Sequence, residues 1–322
     1  MVFPKKESTR DSYGQALLDL GKENRDVVVL DSDLSFSTRT GWFGRAFPER
    51  FFNCGVAEQN MITMAAGLAA CGKIVFASSF AVFGTERAYN QIKQSVAYTG
   101  LNVKIVVSHS GITVGEDGAS HHMPFDIAIM RVLPKMTVIS PCDAIETYIA
   151  VKAAAKYVGP IYIRLSRPST PLIFEEDYRY RNKKLNFQIG KAVSLRDGRD
   201  ATVLATGIMV SVALEAAEKL TLEGIDVGVI DVHTIKPIDR EMILSVAKNS
   251  GAIVTAEEHS IIGGLGGAVS EVIVSNMPIP IEMVGIKDVF TLSGSPTELM
   301  EKYGLTPNQI SIAVKKVIKR KR

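Results

Sequence analysis

The chain of 322 residues predicts an α/β fold built as two doubly wound domains in succession. Two observations carry that reading. Short apolar, β-branched runs alternate with helical periodicity along almost the whole length, and a charged, tyrosine-rich stretch interrupts the alternation past the middle. The length favours two domains over one, and a hydrophobic fraction of 46% is enough to fill two buried cores.

The first domain is expected over residues 1–174. A helix over Tyr13 to Lys22 leads into a strand at Val27–Leu30. Phe51–Cys54 is short and apolar, as a buried strand end is, and the following Gln59–Gly72 repeats Met61, Met64, Ala65 and Leu68 at helical spacing. Strands at Lys73–Phe76, Val103–Val107, Thr137–Ile139 and Ile161–Ile163, with helices at Thr85–Tyr98 and Ala144–Tyr157, complete a mainly parallel sheet. Residues 175–188, with Glu175-Glu176-Asp177 followed by Arg179, Arg181, Lys183 and Lys184, read as a solvated linker. The second domain, 189–322, opens on a hairpin around Arg196-Asp197-Gly198-Arg199. It then alternates strands at Ala201–Ala205, Val227–Val232 and Ala252–Ala256 with helices at Val210–Glu223, Arg240–Ser250 and Leu265–Val274. Two helices close it, Pro296–Tyr303 and Pro307–Arg320.

The formal net charge of +3 comes from the end of the chain, where Lys315, Lys316, Lys319, Arg320, Lys321 and Arg322 outweigh a net negative remainder. Such cations suit the last turn of a terminal helix, and nucleic-acid binding is not indicated. No apolar run approaches the ~18 residues of a membrane span. The start, Met1 to Glu7, lacks the apolar stretch of a secretory signal, so a cytoplasmic location without membrane contact is expected. Cys54, Cys71 and Cys142 have neither pairing nor metal-type spacing and are expected to be reduced and buried.

Glu58 stands where the Phe51–Cys54 strand gives way to a long apolar helix, a turn at which parallel sheets collect ligands, although first-turn acids also simply complement the helix dipole. The segment from Ser108 to His122 concentrates three of the five histidines with Glu116, Asp117 and three glycines, which is dense for a structural connection. Its spacing fits no zinc ligand set. Arg164 and Arg167, at the end of a strand, are placed to grip a phosphate or to form surface ion pairs. Phe80 and Phe83 are spaced to lie beside a flat ligand or to pack in the core. Gly263-Gly264-Leu265-Gly266-Gly267 invites a nucleotide reading, but Glu257-Glu258-His259 before it would repel a pyrophosphate, and close helix packing explains the glycines.

Together these segments resemble the C-terminal half of transketolase, a thiamin-diphosphate enzyme, over nearly the whole chain. The resemblance rests on Asp31-Ser32-Asp33-Leu34, Gly55-Val56-Ala57-Glu58, Ser79-Phe80-Ala81-Val82-Phe83, His109 with Gly115-Glu116-Asp117-Gly118 and His121, and Ser166-Arg167. It implies a pyrimidine-binding domain followed by the family's C-terminal domain. It also implies that Glu58 hydrogen-bonds the pyrimidine nitrogen and promotes the imino tautomer, that Phe83 stacks on that ring with Phe80 beside it, and that Asp33 and Leu34 lie near the thiazolium. By the same likeness Asp117 and His121 contact sugar hydroxyls, with His121 assisting proton transfer, and His109 and Arg167 hold a terminal phosphate. Where the family carries a third aromatic, this sequence has Glu86. The family's Gly-Asp-Gly motif, which binds the diphosphate through Mg²⁺, is absent. This chain therefore supplies no metal ligand of its own, and the expectation is a C-terminal subunit paired with a separate N-terminal subunit, as an α2β2 assembly, acting in two-carbon ketol transfer between ketose and aldose phosphates. Two catalytic alternatives are a deoxyxylulose-phosphate synthase-like enzyme, to which Asp126 after Phe125 is similar, and the beta subunit of a 2-oxoacid dehydrogenase. A non-catalytic partner is the third.

Overall fold

The computed structural model describes residues 5–321; Met1–Pro4 and Arg322, on which the readings of the chain start and of the basic end partly fall, lie outside them. Seven strands form the first sheet in the order Thr234–Lys236, Thr137–Ile139, Ile161–Arg164, Val103–Ser108, Ile74–Phe80, Val27–Asp31 and Phe51–Asn53. All pair in parallel except Thr234–Lys236, which comes from the second half of the chain and zips antiparallel onto Thr137–Ile139. The inner strands are buried end to end because helices cover both faces. Helices Thr9–Glu23 and Ala144–Lys156 start on side-chain caps from Ser8 and Asp143. Glu58–Ala70 begins on Ala57 with no cap, leaving Glu58 itself in the first turn.

The second sheet has five strands in the order Val193–Arg196, Val227–Asp231, Ala201–Ala205, Ile253–Ser260 and Ile281–Ile286. Its first strand corrects the expected hairpin. Val193–Arg196 pairs antiparallel with Val227–Asp231, while Ala201–Ala205 lies between two parallel neighbours. The wholly buried strand takes the centre, and the half-buried one is left for the edge. The strand Ile281–Ile286 follows Pro278 and Pro280 and was not anticipated.

The solvated linker also needs correction. Its charged residues are exposed, but Phe174, Tyr178 and Tyr180 are buried, and the Asp143 carboxylate accepts the backbone N–H groups of Ile173 and Phe174. The three cysteines are free, but only Cys142 is buried; Cys71 is exposed. The basic end is spent on ion pairs of Lys315 with Glu223 and of Lys316 and Arg320 with Glu282. Among the described residues no helix is long and apolar enough to cross a membrane.

The seam between the sheets is acidic. Ligand-type atoms of Cys142, Glu146 and Asp231 lie within 4.8 Å of one another, all buried. Glu146 accepts the Cys142 N–H and the Tyr178 hydroxyl, whereas neither oxygen of Asp231 has a donor among the described residues. Two carboxylates this close in a dry seam disfavour ionisation of both, and Asp231, the one without donors, is the one that keeps its proton. Burial first, then Glu146, pushes the Asp231 pKa well above the ordinary carboxylate value, and burial raises Asp143 to about 7. The folded state thus holds protons that the unfolded state has released, and stability falls as pH rises from about 4 towards these raised values. Asp231→Asn makes the neutral form permanent. It should raise Tm at pH 8 by roughly 2–4 °C, the shift that ~1 kcal/mol gives, and flatten the decline between pH 5 and 8. A larger loss of Tm in this variant at pH 8 than at pH 5 would contradict a protonated Asp231.

Candidate functional site

Because all strands but Thr234–Lys236 run parallel, the first sheet releases those six strands at the same edge. The turns after Val27–Asp31, Phe51–Asn53, Ile74–Phe80, Val103–Ser108 and Ile161–Arg164 all emerge there, carrying Asp33, Glu58, Phe83, His109 and Arg167. Residues distant in sequence are brought together by topology.

Glu58 is 2% exposed at the start of its helix. The Arg87 guanidinium approaches its Oε2 to 3.7 Å and lies over the Phe83 ring, 5.2 Å from the centroid. Phe83 and Phe80 lie 6.2 Å apart at 19°, Phe80 stacks on His109 at 3.7 Å, and Phe83 meets His121 edge-on at 5.4 Å. A continuous aromatic wall therefore runs from the Glu58 side to both histidines. The helix behind it opens as a π-turn at Phe83–Arg87 rather than as an α-turn. Glu86 is exposed and faces away, into a cavity of about 600 Å³ between the domains, lined also by Ser120, Phe125, Asp288 and Phe290.

The loop with His109, Asp117 and His121 contains one short 3-10 turn, Gly115–Asp117, and is shaped from outside. Glu258 of the second sheet accepts the N–H groups of Ile112 and Thr113, both at 2.7 Å, through one carboxylate oxygen. A Cβ on Gly111, whose φ is +71°, would come within 2.2 Å of that oxygen. His122 bridges the Gly115 carbonyl and the Thr291 hydroxyl, and Ser293 donates to the Glu116 carbonyl. One of the three loop histidines is thus structural. His121 is different: its Nδ1 meets the Ser120 hydroxyl at 3.0 Å, and Nε2 has no hydrogen-bond partner among the described residues.

At the other end of the wall, His109 is buried, adopts a φ of +59° and shares a hydrogen bond of 2.9 Å with Ser108. Burial first, then the positive Arg10 and Arg167, pushes its pKa down to about 3, so it meets a ligand as a neutral imidazole. Arg167 donates to the Val114 carbonyl and sits 3.4 Å from Glu116 and 4.0 Å from Asp117. Arg10 is the residue that sequence reading missed. Its guanidinium bonds the carbonyls of Arg167 and Ser37, which adds a second cation to the same end.

Asp33 has a φ of +64°, and its backbone and carboxylate are both held by Asn53. The turn that carries it is tied to Asp31, which accepts from the Leu34 N–H and the hydroxyls of Thr38 and Thr40. Burial raises the Asp31 pKa to about 6 against those three donors.

Two candidates drop out. Arg164 is 3% exposed, pairs with Asp126 at 2.8 Å and donates to the Glu258 carbonyl, so it has no face for a phosphate, and the buried Asp126 has one oxygen taken by Arg164 and Tyr162 and the other without a donor among the described residues. The glycine run 263–267 opens a helix whose first N–H groups, Leu265 and Gly266, are taken by the protein's own Glu257 carboxylate. That carboxylate occupies the place a phosphate would need.

Residues 5–172 match the transketolase pyrimidine binding domain and residues 190–310 the transketolase C-terminal domain. A transketolase C-terminal section from Methanocaldococcus jannaschii is 51% identical over 97% of this chain and 96% of its own length. A 6-deoxy-6-sulfo-D-fructose transketolase subunit from a Clostridium species is 44% identical over 97% and 95%. Human transketolase is 38% identical, and there 97% of this chain spans 49% of the longer protein. A solved structure described as a split gene transketolase, inactive beta4 tetramer, superposes with a TM-score of 0.90 at 50% identity, covering 98% of this chain and 99% of that one. The chain belongs to the transketolase family and carries that family's pyrimidine-binding and C-terminal domains.

Proposed function

We propose that this chain is the C-terminal subunit of a two-chain transketolase that moves a two-carbon ketol unit between ketose and aldose phosphates, with thiamin diphosphate bound against an N-terminal subunit. The observation that carries the reading is the buried Glu58 carboxyl at the head of an aromatic wall ending in His121 and an Arg10–His109–Arg167 cluster. These residues fit the cofactor's pyrimidine: an acid for a ring nitrogen and flat faces beside it. They do not fit its diphosphate. Among the described residues the cluster with metal-ligand spacing is Cys142, Glu146 and Asp231 in the seam, remote in the fold from the Glu58 turn, so the Mg²⁺ ligands are assigned to the partner. Exposed Phe36, Phe52, Val56 and Met64, in or beside the turns that carry Asp33 and Glu58, are the apolar surface that a partner would cover. An α2β2 assembly in the cytoplasm follows as part of the same proposal.

Each residue has a bounded task. Glu58 holds or returns a proton at the pyrimidine nitrogen, and thiamin diphosphate, when bound, supplies the carbanion chemistry. His121, with Nε2 open, exchanges a proton with a sugar hydroxyl, and Asp117 accepts from another. Arg10 and Arg167 supply charge to the terminal anion, and the neutral His109 supplies an N–H. Asp33 and Leu34 line the thiazolium side. Subunit names among the relatives include 6-deoxy-6-sulfo-D-fructose and apulose-4-phosphate transketolases, and both substrates named there end in an anion.

With the partner co-expressed, xylulose 5-phosphate and ribose 5-phosphate should be converted, and Glu58→Gln should lower kcat at least ~100-fold with little change in melting temperature. Turnover of pyruvate with glyceraldehyde 3-phosphate alone would instead favour the deoxyxylulose-phosphate synthase reading, and dependence on a lipoyl-bearing partner would favour the dehydrogenase. In nitrogen-detected NMR of the chain, the His109 ring should keep one neutral tautomer from pH 5 to 8; a midpoint inside that range would contradict its assignment as a neutral donor.

A further inference from the structure

We infer that Arg87, not residue 86, forms the third wall of the pyrimidine pocket. The inference deepens the proposed cofactor site and rests on that reading. In a regular α-helix Glu86 and Arg87, three and four residues beyond Phe83, would both share its face, and the family resemblance sets an aromatic at the first of them. The π-turn at Phe83–Arg87 closes from i to i+5 and takes in one residue more than an α-turn. The wider turn rotates Glu86 off the face of Phe83 and keeps Arg87 on it. Arg87 lies 5.2 Å over the Phe83 ring, while Glu86 turns to the interdomain cavity beside Ser120 and Phe290.

A guanidinium can do what an aromatic ring does at this place, because it is planar and stacks on π-faces. It also does something an aromatic cannot. At 3.7 Å from Glu58 Oε2 it supplies the counter-charge for a carboxylate that is 2% exposed. The Arg87 side chain is itself 53% exposed, so solvent rather than protein borders much of it. An entering pyrimidine takes over the hydrogen-bonding edge of Glu58, and Arg87 then covers the ring rather than the acid. The same side chain is thus a stand-in partner for Glu58 before the cofactor arrives and a wall of its pocket afterwards.

The test is calorimetric titration of thiamin diphosphate with Mg²⁺ into the complex with the N-terminal subunit, for four variants. Arg87→Ala should weaken binding about tenfold, the loss expected for a desolvated cation–π contact. Arg87→Phe should recover most of that loss, Arg87→Lys little, and Glu86→Phe should tighten nothing. Since Arg87 is exposed, melting temperatures should stay close to that of the parent. Unchanged binding in Arg87→Ala, or tighter binding in Glu86→Phe, would return the wall to residue 86. Weakening that Arg87→Phe cannot rescue would mean that charge alone matters and would remove the wall. If the unmodified complex binds no thiamin diphosphate, the cofactor reading itself falls, an outcome distinct from the other two.

Discussion

The position of every candidate residue in the long loop depends on one carboxylate, Glu258. Its oxygen accepts two backbone N–H groups of a segment with almost no secondary structure of its own, and its backbone carbonyl accepts from Arg164, which is locked to Asp126, itself held by the Tyr162 hydroxyl. Charge-assisted bonds in a dry interior are strong because no water competes for them. The network joins both sheets and anchors the loop next to His109 at one end and next to His122 and Thr291 further along. The C-terminal domain contributes no residue to the aromatic wall, yet through Glu258 it dictates where the wall's histidines stand.

The same economy explains why acids that look functional are structural and the reverse. Glu257 and Glu258 satisfy backbone donors, Asp126 neutralises a buried arginine, and Glu146 and Asp231 crowd together in the seam. Glu58 is buried too, but its one ionic neighbour among the described residues is a half-exposed arginine. That imbalance, an enclosed acid with a replaceable partner at an open sheet edge, separates a chemical group from a structural one here.

Much of this was legible in the sequence. Fully buried parallel strands are continuous apolar runs, so Val27–Asp31, Val103–Ser108 and Ile161–Arg164 announce themselves, and a strand end followed at once by an acid and an apolar helix marks Glu58. What stayed hidden depends on contacts that local spacing cannot express. Arg10 reaches Arg167 across 157 residues, and Thr234–Lys236 joins a sheet to which the rest of its domain does not belong. The π-turn hides because periodicity assumes α geometry, and the family likeness that sets Glu86 at an aromatic position carries no sign of the wider turn. Val193–Arg196 was misassigned because turn chemistry at 197–199 shows that the chain reverses, not which strand it reverses onto.

The central claim is that this chain holds the pyrimidine side of a thiamin diphosphate site and not the diphosphate side. Equilibrium titration of thiamin diphosphate with Mg²⁺, first into the isolated chain and then into the chain with its N-terminal subunit, tests it most directly. The account predicts tight, Mg²⁺-dependent binding only in the second titration. Tight Mg²⁺-dependent binding by the isolated chain, with turnover of ketose phosphates and no added subunit, would contradict it.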